Sequence, residues 1–116
     1  MLKDIPQLKV EDIAVAIVQE ENEKKEIIWN AYLLNLKQVN IEGVLVASKG
    51  YGEHDGRKVR TSVLRHFFEE IHAQSFVKIE PIIDNLFGLN NEFWVSFYLG
   101  KIMYDKKFLF LPETIK

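Results

Sequence analysis

The sequence predicts a single α+β domain over residues 1–116: a mostly antiparallel sheet of about six strands, curled or sandwich-like, with one helix packed on it. Three observations predict it. Apolar residues alternate with period two in several segments of strand length. One segment, Val63 to Ile71, instead repeats at helical spacing. The connections between segments are short, and short connections join antiparallel neighbours.

In chain order, Met1 to Gln7 reads as a loose arm, since Pro6 disfavours regular structure. Val10 to Glu20 follows as a strand: its β-branched residues Ile13, Val15, Ile17 and Val18 outweigh the helical preference of Ala and Glu. Glu20 to Glu26 is a charged, exposed turn. Ile27 to Leu36 is a second strand, Lys37 to Asn40 a hairpin connection, and Ile41 to Ser48 a third strand, so that these three form an antiparallel meander. Gly50, Gly52 and Gly56 then mark a loop. After it, Thr61 or Ser62 caps a helix whose stripe is Val63, Leu64, Phe67, Phe68 and Ile71. Ser75 to Ile83 returns to strand, with Phe76, Lys78, Glu80 and Ile82 alternating with Val77 and Ile79; Pro81 points to an edge position or the strand end. Asp84 to Asn91 is a loop or a single helical turn. Glu92 to Leu99 places Phe93, Val95 and Phe97 on one face and Trp94, Ser96 and Tyr98 on the other. Gly100 turns the chain, and Ile102 to Leu111 pairs back as a hairpin. The expected order is β-β-β-α-β-β-β.

Composition narrows the function classes. An apolar content of 47% in 116 residues suits one globular domain. A net charge of −2 gives no overall drive toward nucleic acid or an anionic membrane. The chain has no cysteine, which removes disulfides, thiolate nucleophiles and zinc–thiolate sites and suits a cytoplasmic location. The N-terminus lacks the apolar core of a signal peptide, and no apolar run approaches the roughly 20 residues that span a bilayer.

Chemistry concentrates between Lys49 and Ser62. Lys49, Arg57, Lys58 and Arg60 outnumber Glu53 and Asp55 there, and the segment leads into the expected helix N-terminus, where backbone N–H groups and the dipole favour anions. Gly50, Gly52, Arg57, Arg60, Thr61 and Ser62 are accordingly the candidate anion-binding residues. The Walker tripeptide is absent, and Gly50-Tyr51-Gly52 does not continue as a dinucleotide fingerprint. His66 with Glu70, and Glu69 with His72, share a helical face, but no third ligand stands at metal-site spacing, so neither metal nor cofactor is expected. No serine lies in a nucleophile elbow, and no catalytic residue is assigned. Strand aromatics, among them Trp29, Tyr32, Trp94, Phe97, Tyr98, Tyr104, Phe108 and Phe110, read first as core. With Lys101, Lys106 and Lys107 they also compose a face able to stack on bases or on a peptide. One helix covers only part of such a sheet, so the uncovered apolar area calls for curling or for a second copy of the chain.

The segments NIEGVLVASKGYGE, TSVLRHFFEE, FVKIEPI and NEFWVSFY with YDKKFLFLPETI resemble a family of small bacterial proteins of about this length, some labelled phenylalanyl-tRNA synthetase subunits. The resemblance covers nearly the whole chain. It implies a bacterial, cytosolic protein and transfers no functional residue; the chain has neither the length of a synthetase catalytic core nor a class II motif. The function expected is a non-catalytic binding or assembly module that forms a homodimer. The alternatives are a small enzyme or binding protein taking an anionic metabolite or nucleotide at the Gly50–Ser62 loop, and an RNA-binding module linked to translation.

Overall fold

The computed structural model describes residues 10–82 and 88–112. Eight strands account for the regular structure of these residues: β1 (Ile13–Glu21), β2 (Ile27–Asn35), β3 (Ile41–His54), β4 (Arg57–Arg60), β5 (Leu64–Ile71), β6 (Ser75–Ile82), β7 (Asn90–Leu99) and β8 (Ile102–Phe110). All pairings are antiparallel. The strands form a three-stranded sheet in the order β1-β2-β6 and a five-stranded sheet in the order β4-β3-β7-β8. β5 lies on the same side of β3 as β4, against the other half of that strand.

This corrects the α+β expectation. Among the described residues there is no helix, the order β-β-β-α-β-β-β does not hold, and the domain is all-β with two sheets rather than one sheet of six strands. The segment read as a helix is β5. Its residues Leu64, His66 and Phe68 stand opposite Ser48, Val46 and Val44 on the inner face, while Phe67 stands opposite Leu45 on the outer face. A strand with apolar residues on both faces produces pairs such as Phe67-Phe68, which mimic a helical stripe. Phe and β-branched residues prefer the pleated surface, and the edge of β3 offers a full ladder of backbone partners.

The meander expected of the first three strands is half present. β1 pairs with β2, but β2 pairs next with β6, and β3 joins the other sheet. The chain changes sheets at a corner built around Asn35. Its buried amide Nδ2 donates to the carbonyls of Val39, Ile71 and His72 at 3.0, 3.2 and 3.1 Å, and its Oδ1 accepts from Lys37 N at 3.1 Å. Gln74 N donates to Lys37 O and Ala73 N to Asn40 Oδ1, so the β2–β3 and β5–β6 connections are tied to each other. One buried residue thus satisfies backbone groups that no ladder reaches.

Residues of both sheets fill one core. The three-stranded sheet supplies Ile13, Ala31, Leu33, Ile79 and Ile82; the five-stranded sheet supplies Ile41, Val44, Val46, Ile71, Phe93, Val95 and Phe97. At the margin, Phe97 stacks on Tyr104 and Phe93 meets Phe110 edge to face. Gly43 adopts φ +55, and a side chain there would meet the Tyr98 ring at 3.1 Å; the register between β3 and β7 shifts at this point. The arm expected at Met1 to Gln7 lies outside the described residues, as does the first half of the loop expected at Asp84 to Asn91, whose last two residues, Asn90 and Asn91, begin β7.

Candidate functional site

The Lys49–Ser62 segment is a β-hairpin. Asp55 and Gly56 both have positive φ, 53 and 77, as a two-residue type I′ turn requires, and β4 pairs back on Tyr51–His54. No helix follows, so neither a helix dipole nor free helical N–H groups act on an anion here. The hairpin spreads the candidate anion residues over several openings, and Arg60 and Thr61 together border one of them, a cleft of about 500 Å³ shared with Lys49 and Glu92. Gly52 and Arg60 line an open cleft of about 640 Å³ along the hairpin, with Arg57 exposed beside its turn. Gly50, Thr61 and Ser62 line a separate pocket of about 160 Å³. Gly50 N donates to Thr61 Oγ1 at 2.8 Å, and Thr61 N to Gly50 O at 2.8 Å. The glycine amide that a phosphate would need is already engaged.

At the floor of the smaller pocket lies Glu80, whose side chain is 10% exposed. Ser48 Oγ donates to Glu80 Oε1 at 2.6 Å, and His66 Nε2 meets the same oxygen at 2.8 Å. Three strands from both sheets therefore converge on one carboxylate. A bulge brings it there: the β2–β6 register shifts between Ala31 and Tyr32, placing Ile79 and Glu80 in succession toward the core and turning Pro81 outward. Strict alternation assigns Glu80 to the face of Lys78. Pro81 carried the missed signal, because proline within a sheet marks bulges as well as edges. The order of contacts, with the carboxylate between hydroxyl and imidazole, is not that of a nucleophilic triad, in which the imidazole stands between.

The helical pairing of His66 with Glu70 disappears with the helix. His72 Nε2 lies 3.8 Å from Glu70 Oε1 on the surface, and among the described residues no three His, Asp or Glu side chains gather for a metal. On the outer face of the three-stranded sheet, Tyr32 Oη and Asn30 Nδ2 both donate to Glu20 Oε1, at 2.5 and 2.6 Å. These bonds hold the Glu20 carboxyl below the usual range, the Tyr32 bond contributing most, and push the Tyr32 phenol up.

The outer face of the five-stranded sheet carries exposed apolar side chains in cross-strand rows. Phe67, Leu45, Ser96 and Asp105 form one cross-strand row; Arg65, Ala47, Trp94 and Lys107 form the next; Lys49, Glu92 and Leu109 form a third. Tyr98 and Met103 extend the patch. Lys49 and Lys107 reach Glu92 at 3.6 and 3.8 Å, and the Lys107 ammonium lies 5.9 Å from the Trp94 ring.

No protein-family model, curated protein or solved structure matches the chain. Among the described residues no helix is long and apolar enough to cross a membrane.

Proposed function

We propose that the protein is a non-catalytic binding and assembly module that pairs with a second copy of itself through the outer face of its five-stranded sheet. The observation that carries this reading is the exposure of six large apolar side chains on one face: Leu45, Phe67, Trp94, Tyr98, Met103 and Leu109, each between 41 and 66% exposed. Four strands about 4.8 Å apart, with about eight residues each at ~3.3 Å, give a face of about 500 Å² in flat projection. Side-chain relief enlarges its accessible area toward the ~800 Å² per partner of a standard interface.

Charge favours a second copy over a nucleic acid. Backbone phosphates demand unopposed cations, whereas Lys49 and Lys107 flank Glu92 within the protomer, and Arg65 and Asp105 stand on the same face. Three cations stand against two carboxylates, so a two-fold pairing meets little net repulsion, and alternating rows allow ion pairs across it. The absence of cysteine makes a clean test. Ser96→Cys at the centre of the face is expected to form an interchain disulfide under mild oxidation, whereas Gln38→Cys on an exposed connection is not. Equal cross-linking at both positions contradicts the reading.

A further inference from the structure

We propose that the pocket between Ser48, Thr61 and Glu80 binds a small organic ammonium ion. It is distinct from the outer sheet face and does not depend on pairing.

The first ground is charge. Glu80 is the carboxylate at the pocket floor, and its two hydrogen bonds, from Ser48 and His66, both end on Oε1. Lys49 also borders the pocket, but its ammonium is held 3.6 Å from Glu92 on the opposite face of the sheet. With that ammonium drawn away, Glu80 is the acidic side chain that lines the pocket.

The second ground is the direction of the hydrogen bonds. The Ser48 hydroxyl spends its proton on the Glu80 carboxylate, and the Thr61 hydroxyl spends its own on Ser62 O at 3.0 Å. What these oxygens have left to offer is lone pairs. Two hydroxyl oxygens and a carboxylate make a set of acceptors, which selects a ligand rich in N–H donors and rejects an anion. The third ground is shape. Leu64 and Phe93 supply apolar wall beside this polar end, and the volume of about 160 Å³ suits a short alkyl chain.

The test follows backbone amide NMR signals of the wild-type protein during titration with n-butylammonium chloride, n-butanol or sodium butyrate. Saturable shifts at Ser48, Gly50, Thr61 and Glu80 are expected with n-butylammonium alone. Glu80→Gln is expected to weaken that binding at least about tenfold, as loss of a charge-assisted partner does. Thr61→Val, which keeps the carboxylate, is expected to weaken it by a smaller factor. Saturable shifts with butyrate, equal responses to the amine and the alcohol, or no saturable response at these residues overturn the proposal, and these wild-type arms decide it even if a variant fails to fold.

Discussion

β7 presents large aromatic side chains on both of its faces, with opposite fates. Phe93, Val95 and Phe97 are each 1% exposed and close the core, whereas Trp94 and Tyr98, on the alternate positions, are 45 and 42% exposed. A sheet face buries its apolar side chains only against another layer, and the three-stranded sheet covers one side. The outer aromatics therefore contribute little to the fold of one protomer, and their size and clustering point to a partner surface.

Substitutions on the two faces sharpen this contrast. Phe97→Ala opens a cavity beneath Tyr104 and is expected to cost about 3–5 kcal/mol in denaturant unfolding. Asn35→Ala leaves the Val39, Ile71 and His72 carbonyls without their shared donor, and a loss of about 2–3 kcal/mol is expected in the same assay. Phe67→Ser, at 66% exposure on the outer face, is expected to change monomer stability by no more than about 0.5 kcal/mol. A loss comparable to that of Phe97→Ala erases the distinction between the faces.

The smallest effect concerns pH. The folded pKa of Glu20 is depressed by the Tyr32 and Asn30 bonds, so its contribution is complete above the unfolded carboxyl pKa and is lost as pH falls through the folded value. That of Tyr32 is raised, so its contribution is complete below the unfolded phenol pKa and is lost as pH rises through the folded value. Tyr32→Phe is expected to flatten both limbs of a stability–pH curve slightly; unchanged limbs refute the linkage.

Local alternation made much of the sheet legible. The two faces of β7, the β7–β8 hairpin and the starts of β2, β3 and β6 follow from period-two patterns and turn residues. The hairpin of β3 and β4 was also written in the chain, in Asp55-Gly56, but glycines at 50 and 52 make the segment resemble a loop. β5 was ambiguous because its apolar residues fall on both faces, Leu64 and Phe68 on one and Phe67 on the other, and only the exposed edge of β3 decides between strand and helix. Pairings such as Val46 with Val95 join residues far apart in sequence, and no local pattern encodes them. Of the candidate site, Gly50, Thr61 and Ser62 line one pocket, and Glu80 joins them unforeseen because the bulge that carries it inward breaks the alternation by one residue.

The central claim is that the outer face of the five-stranded sheet is an interface between copies. Sedimentation equilibrium of the wild-type chain beside Phe67→Ser/Trp94→Ser tests it most directly. The account predicts a concentration-dependent dimer for the wild type and a folded 13.6 kDa monomer for the double variant. A wild type that stays monomeric at the highest attainable concentration, or a double variant that dimerises equally well, contradicts it.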